Sequence, residues 1–170
     1  FNNGDAAYLV GDFSVVNKVT GKNISLDLNA DEFTFAVWVN CDFTKMNMKQ
    51  YLLCGNNQIK SSNNSIYLQP GKVRSDTAIV VVSTTGTKIE LPFMENSGLL
   101  LTGRWVWLRL TKSNSDNKIK FYINNRLVGT SDAITSSFKL VFNNNETCIG
   151  KGYDVDYLYY PHFKGYIDDF

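Results

Sequence analysis

Hydrophobic and polar residues alternate with a period of two along much of this chain. In residues 33–39, one set of alternating positions holds only Phe and Val, and the other holds Thr34, Ala36 and Trp38. Residues 118–123 alternate in the same way, with Ile or Phe at every second position and Lys or Tyr between them. Successive side chains of a β-strand point to opposite faces of its sheet, so this pattern predicts strands. Residues 118–123 are expected to have one dry face and one wet face.

The same pattern predicts a series of short strands separated by clusters of Gly, Asn, Ser and Pro. They are residues 7–10, 24–28, 33–39, 51–54, 65–68, 78–83, 88–93, 105–111, 118–123, 126–128, 138–142, 147–149 and 163–167. Asn124 and Asn125 tolerate the positive φ angles of a type I′ turn, which predicts a tight hairpin. Many short strands with regular turn signals predict an all-β fold, a two-sheet antiparallel jelly-roll sandwich. At 170 residues, the chain is expected to form a single domain over residues 1–170.

Charge and composition argue against two classes of partner. The net charge is +1, and the 17 lysines and arginines are scattered singly, so no basic stripe matches a row of phosphates. No apolar run reaches the roughly 20 residues of a membrane-spanning helix. We therefore expect no nucleic acid partner and no membrane insertion. The chain begins at Phe1 without a signal-like apolar block, and we expect it to be a fragment of a larger protein.

The cysteines leave two alternatives open. Cys41, Cys54 and Cys148 are too few for a disulfide scaffold, and an odd number cannot pair completely. Cys41 and Cys54 could form a bridge if the strands that they end are neighbours. A buried thiol is the more common fate of such residues.

Side chains suited to catalysis are sparse. His162 is the single histidine, and no nucleophile motif accompanies it. Glycoside hydrolysis uses paired carboxylates, and no Glu-x-Asp-x-x-Glu cluster is present. The separated cysteines and the single histidine lack the paired spacing of a zinc site. Residues 150–152 have no nucleotide-binding context and are interpreted as a turn. The sequence thus predicts a protein that is not an enzyme.

The three tryptophans, Trp38, Trp105 and Trp107, lie in predicted strands. We interpret them as core or sheet-covering residues, because large aromatic side chains fill the space between packed sheets. A carbohydrate-binding platform is the alternative. If they form the core, Trp107→Ala should unfold or badly weaken the domain, since truncating a buried tryptophan costs about 3–5 kcal/mol.

Segments spread along the chain match the landmarks of a known family in the right order. Residues 1–9 and the FTFAVWV of residues 33–39 correspond to its early strands. Residues 105–110 and 118–128 correspond to its central hairpin, and residues 148–150 and 163–170 to its closing strands. The chain therefore resembles the laminin-G-like jelly-roll domains of the concanavalin A-like lectin/glucanase superfamily, which implies the same sandwich fold. The sequence departs from the family in carrying Asn125 where glycine is usual and in stopping at Phe170, where such domains normally continue.

The resemblance also implies a structural calcium site, because many members of the superfamily hold an ion where the first and last strands meet. Asp5, Asp168 and Asp169 are the candidate ligands, since Ca²⁺ prefers oxygen ligands. The alternative is that Asp5 begins a turn and Asp168 caps a strand. No other cofactor is expected.

Residues 152–162 combine tyrosines with aspartates in a predicted loop. In shallow sugar sites, rings offer flat apolar faces and carboxylates hold hydroxyl groups. Exposed tyrosine is also favoured at protein interfaces, and the same rings could instead pack over an open end of the sandwich. The candidate ligand-binding residues are Tyr153, Asp154, Asp156, Tyr157, Tyr159, Tyr160 and His162.

These observations favour binding over catalysis. We expect a non-catalytic recognition or adhesion module that binds a glycan or a protein through rim loops. One alternative is a structural component of a virion, fibre or surface layer, with neighbouring subunits as partners. Another is an accessory carbohydrate-binding domain of a glycosidase or sialidase. Asn-x-Ser/Thr sequons at Asn23, Asn63 and Asn145 fit an extracellular, cell-surface or virion-surface location.

Overall fold

Short antiparallel strands and tight turns make up the described part of the chain. The computed structural model describes residues 7–9, 32–41, 49–55, 63–69, 78–93, 103–134, 138–140, 148–152 and 163–168. The strands in these ranges are β1 (Ala7–Leu9), β2 (Phe33–Cys41), β3 (Gln50–Cys54), β4 (Ser65–Gln69), β5 (Ala78–Val82), β6 (Lys88–Pro92), β7 (Val106–Ser113), β8 (Lys118–Ile123), β9 (Arg126–Thr130), β10 (Cys148–Ile149) and β11 (Gly165–Asp168). None of the described ranges forms a helix with the length and apolar character needed to cross a membrane.

The described strands form two sheets. The six-stranded sheet has the order β1-β11-β2-β7-β8-β9, and the five-stranded sheet has the order β10-β3-β4-β5-β6. Each neighbouring pair is antiparallel. The prediction of an all-β, two-sheet antiparallel jelly-roll sandwich is therefore confirmed. β1 pairs with β11, so the first and last of these strands meet, as the resemblance implied.

The core lies between the sheets and follows the period-two pattern. Along β7, buried residues alternate with half-buried ones. β8 alternates in the same way, so the dry face predicted for residues 118–123 is confirmed. Phe121 on β8 contacts Phe93, with ring centroids 5.5 Å apart. Phe93 directly follows β6, so this ring pair links the two sheets across the core.

The hairpin between β8 and β9 turns at Asn124 and Asn125, whose φ angles are 49° and 67°. Both angles lie in the left-handed region that asparagine tolerates, and the predicted turn is confirmed. The Asn124 N–H donates to the Trp107 carbonyl at 2.8 Å, and Asn124 Oδ1 accepts from the Trp107 N–H at 2.9 Å. These two hydrogen bonds tie the turn to the part of β7 that carries Trp107.

One predicted strand is wrong over its described part. Residues 138–140 belong to no strand, although Phe138 and Leu140 are buried in the core. The Lys139 carbonyl instead accepts hydrogen bonds from the Thr84 N–H at 2.9 Å and from the Thr84 hydroxyl at 3.1 Å. The alternating apolar residues therefore fill the core without pairing in a sheet. Residues 141–142 and the predicted strand at 24–28 lie outside the described residues.

Two of the cysteines could form a disulfide bridge according to the sequence, but the strands that they end lie in different sheets. Cys41 ends β2 in the six-stranded sheet, and Cys54 ends β3 in the five-stranded sheet. Since β2 and β3 are not neighbours, the condition for a bridge between these cysteines is not met. Cys54 is a buried thiol and lies opposite Cys148 in the pairing of β3 with β10.

Candidate functional site

The outer face of the five-stranded sheet is covered at β3, β4 and β5, whereas the outward residues of β6 are exposed. Its side chains form a second buried cluster, separate from the core between the sheets, which consists of Tyr51, Cys54, Tyr67, Ala78, Val80 and Val82. The Tyr51 and Tyr67 rings have centroids 4.9 Å apart. Gly152 lies against Tyr51 so closely that an added Cβ would overlap the ring. These residues therefore offer no open surface to a ligand.

The outer face of the six-stranded sheet carries partly exposed aromatic side chains around one arginine. We call this surface the aromatic face, and it consists of Trp38, Trp105, Trp107, Arg109, Tyr122 and Tyr166. Trp105 is 39% exposed and Tyr166 is 42% exposed, while the other members are half-buried. The tryptophans belong to neither buried cluster. Of the two expected roles, core or sheet cover, the structure supports the second, because the tryptophans cover the outside of one sheet. The expectation that they lie in the core is not met.

Strand geometry explains why these side chains point outwards. The aliphatic positions of β7 face the core, so Trp107 and Arg109 at the alternate positions face away from it. Trp38 on β2 lies between the buried Val37 and Val39 and therefore also faces outwards. The alternation in the sequence already placed these residues on the face opposite the aliphatic ones, but it did not mark Arg109 as a candidate binding residue.

Strand pairing brings the rings together. Trp38 lies opposite Trp107, and their ring centroids are 5.1 Å apart with an interplanar angle of 53°. Trp105 contacts Tyr166 on β11, with centroids 6.2 Å apart. The two ring pairs form a surface across the adjacent strands β11, β2 and β7. Such a surface presents flat apolar area together with polar ring edges.

Polar side chains lie beside the rings. Arg109 lies opposite Tyr122 on β8, and its guanidinium carbon is 4.3 Å from the Tyr122 ring centroid. Asn40 lies opposite Tyr166, and Asp168 is the next outward residue of β11. The face thus combines ring surfaces with an amide, a carboxylate and a cation. This combination can stack on the apolar side of a ligand and hydrogen-bond to its polar groups.

Two cations on this side of the sheet differ in their partners. Lys120 is 2.6 Å from Asp116, measured from Nζ to Oδ2. The hydrogen bond between these groups lowers the pKa of Asp116 and raises the pKa of Lys120. Arg109 has no such ion pair within the described part of the chain, and its Nε–H is buried there without a hydrogen-bond acceptor. Arg109 is therefore a cation with one N–H group, at Nε, that has no hydrogen-bond acceptor among the described residues.

The predicted calcium ligands are described in part. Asp168 is half-buried on β11, whereas Asp5 and Asp169 lie outside the described residues. Within the described ranges, no group of three His, Cys, Asp or Glu side chains is placed to hold a metal ion. The calcium site therefore stays a prediction.

The predicted tyrosine-rich site lies outside the described residues. This applies to Tyr153, Asp154, Asp156, Tyr157, Tyr159, Tyr160 and His162. On either side of this segment, Gly152 contacts Tyr51, and Phe163 is buried in the core. The Phe163 N–H donates to the Gly150 carbonyl at 2.7 Å, so the segment starts and ends at neighbouring points beside β10. Gly150 has a φ of 70°, which fits the predicted turn.

The family comparison agrees with the fold. A laminin G family model, described as the concanavalin A-like lectin/glucanases superfamily, matches residues 14–170. The chain belongs to this family. The resemblance drawn from the sequence landmarks is thus confirmed. A search of curated proteins found no match.

Similar solved structures include three from bacterial glycosidases. A mutant of the NanB sialidase of Streptococcus pneumoniae has a TM-score of 0.63 at 18% identity, over 97% of this chain and 25% of that chain. The CBM40 of the Ruminococcus gnavus IT-sialidase, bound to α2,3-sialyllactose, has a TM-score of 0.54 at 17% identity, over 95% of this chain and 86% of that chain. Domain 4 of AbnA, an extracellular arabinanase of Geobacillus stearothermophilus in complex with arabinotriose, has a TM-score of 0.51 at 17% identity, over 81% of this chain and 58% of that chain. At these identities, the likeness shows the fold alone. This chain thus spans less than two thirds of the AbnA and NanB chains.

Proposed function

We propose that this domain is a non-catalytic recognition module that binds a glycan on the aromatic face. The observation that carries the proposal is the surface formed by the Trp38–Trp107 and Trp105–Tyr166 ring pairs. A sugar ring has apolar C–H faces that stack on aromatic rings, and its hydroxyl groups hydrogen-bond to neighbouring polar side chains. Exposed apolar patches of this kind mark ligand or partner sites on soluble domains.

Similar structures support a glycan as the ligand. The CBM40 of the R. gnavus sialidase is bound to α2,3-sialyllactose, and domain 4 of AbnA is in complex with arabinotriose. AbnA is an extracellular enzyme. We therefore include an extracellular location in the proposal, with the domain acting as an adhesion module or as an accessory carbohydrate-binding domain of a larger protein.

Trp105→Ala tests the proposal, because Trp105 is exposed and its truncation leaves the core intact. A glycan array identifies the ligand of the wild-type domain, and calorimetric titration compares the variants. Loss of an aromatic anchor costs about 2 kcal/mol or more, which is about thirtyfold in Kd. We expect this loss for Trp105→Ala and an unchanged Kd for Tyr157→Ala in the predicted rim loop. The reverse pattern would place the ligand at the rim loop.

Two further outcomes would contradict the proposal. Binding of the wild-type domain to no glycan on the array would contradict the ligand class. The non-catalytic part rests on the single histidine and the missing carboxylate cluster in the sequence. Release of hydrolysis products during incubation of the isolated domain with its glycan would contradict that part.

A second candidate function, a structural subunit of an assembly, is favoured by Leu127. Leu127 is 49% exposed on β9 and lies opposite Tyr122, so apolar surface continues from the rings to the edge of the sheet. Aromatic anchors beside apolar surface are typical of protein interfaces. If the face binds a glycan, Leu127→Ala should leave the Kd for that glycan unchanged. If the face joins subunits, Leu127→Ala should weaken self-association in analytical ultracentrifugation.

A further inference from the structure

Arg109, on the aromatic face, forms no ion pair within the described part of the chain. Its neighbours across the sheet are Ala36 on β2 and Tyr122 on β8. Its neighbours on the same side of β7 are Trp107 and Thr111. None of these side chains carries a negative charge, and the buried Nε–H finds no acceptor within the described ranges. Buried donors are nearly always matched in folded proteins, so this donor requires an explanation.

We infer that the glycan bound on the aromatic face carries an acidic group, a carboxylate or a sulfate, and that Arg109 binds this group. The inference rests on the proposed function and names the ligand class of the same site. A guanidinium group forms parallel charge-assisted hydrogen bonds with two oxygens of an oxyanion. An acidic ligand therefore supplies the negative charge that Arg109 lacks within the described residues, together with acceptors for N–H groups of its guanidinium.

The surroundings of Arg109 suit this role. Its guanidinium carbon is 4.3 Å from the Tyr122 ring centroid, and this cation–π contact fixes the orientation of the group. Ala36 is the smallest outward residue of β2, so β2 places no large side chain directly beside Arg109. Trp107 precedes Arg109 by two residues, about 7 Å along the strand. A sugar stacked on Trp38 and Trp107 can therefore place an acidic substituent at Arg109.

Other charged residues on this side of the sheet provide a control for substitutions of Arg109. Asp168 lies on β11, two strands or about 10 Å across the sheet from β7. Lys120 on β8 faces the same side as Arg109, but it already forms an ion pair with Asp116. Lys120 is therefore a matched control, because it carries the same charge on the same face and has an anionic partner within the chain.

A glycan array with matched neutral and acidic members separates this inference from the proposed function. Suitable sets are lactose with sialyllactose and sulfolactose, and oligogalactosides with oligogalacturonates. Binding that is confined to acidic members supports the inference, and the sialylated, uronic and sulfated arms identify the acidic group. Binding to the neutral members with equal or greater affinity overturns the inference and leaves the proposed function intact. Binding to no member overturns both.

Arg109→Met and Lys120→Met test the assignment by calorimetric titration of the acidic array member that binds best. Removing a charge-assisted hydrogen-bonded contact weakens binding by about tenfold to a hundredfold. We expect this loss for Arg109→Met, and a change of about twofold or less for Lys120→Met. Arg109→Lys keeps the charge but loses the planar fork, so we expect an intermediate loss. Melting temperatures verify that each variant folds. Equal losses for the two methionine variants, or wild-type affinity in Arg109→Met, would overturn the assignment.

Discussion

Outward residues of β7 take their roles from their position in the strand. Trp107 packs against Trp38 and Arg109 against Tyr122, whereas the intervening Leu108 is buried in the core. A tryptophan at a core position leaves a cavity when it is truncated. Trp107 lies outside the core, so its truncation removes a ring contact on the sheet surface without leaving a cavity between the sheets.

Trp107→Ala and Phe121→Ala compare the aromatic face with the core. Phe121 is fully buried between the sheets, so its truncation should lower the free energy of unfolding by about 3–5 kcal/mol. For the half-buried Trp107, we expect a loss of about 1–2 kcal/mol from the smaller apolar area that it buries. Urea denaturation of both variants measures the difference. Equal losses would mean that Trp107 contributes to stability as a core residue does.

The sequence indicated on which face of its strand each side chain lies, but not which side chains it contacts on neighbouring strands. Alternation places Trp105, Trp107 and Arg109 on the side of β7 opposite its aliphatic residues, and this follows from the sequence alone. The contact of Arg109 with Tyr122 depends on which strands are neighbours and in which register they pair. Register is set by contacts far apart in the sequence, so no local pattern predicted the unmatched Nε–H.

Among the structural elements, turns were more predictable than strand pairing. The Asn124–Asn125 hairpin follows from the φ angles that asparagine tolerates, which is a local property. Residues 138–140 alternate like a strand, yet the Lys139 carbonyl bonds to Thr84. A strand needs a neighbour with available N–H and C=O groups, and the alternation of one segment does not reveal that neighbour.

Substitutions at Asn125 test the hairpin as an element. Its φ of 67° is costly for residues with a Cβ and no compensating polar group, and it is free of strain for glycine. We expect Asn125→Ala to lower the free energy of unfolding by about 1 kcal/mol. Asn125→Gly should leave stability unchanged or raise it by about 0.5 kcal/mol, because Asn-Gly is the preferred type I′ pair.

Asn114→Ala is the matched control for the hairpin variants. Asn114 is exposed in the turn between β7 and β8 and has no positive φ among the described residues. Its substitution should change stability by less than about 0.5 kcal/mol. Thermal denaturation of the three variants gives the comparison. A loss in Asn114→Ala as large as that in Asn125→Ala would mean that the left-handed angle is not the cause.

For the whole molecule, the two outer faces of the sandwich differ in how far they are covered. Burial of the inner faces suffices to build a sandwich, so an outer face can be covered or left open. The outer face of the five-stranded sheet is buried at the cluster around Tyr51 and Tyr67. The six-stranded sheet leaves Trp105 and Tyr166 exposed.

The fold was predictable because its landmarks are spread along the chain. The open outer face of the six-stranded sheet was not predictable from the sequence. Whether an outer face is covered depends on which other segments pack across it, as Gly152 packs against Tyr51.

Tryptophan fluorescence tests most directly whether the aromatic face binds the glycan, because the three tryptophans of the chain all lie on this face. Emission is recorded while the domain is titrated with the glycan that the array identifies, with acrylamide as the quencher. We predict a shift of the emission to shorter wavelength and weaker quenching as the ligand covers the rings. Full occupancy by calorimetry, with unchanged emission and unchanged quenching, would show that the ligand binds elsewhere on the domain.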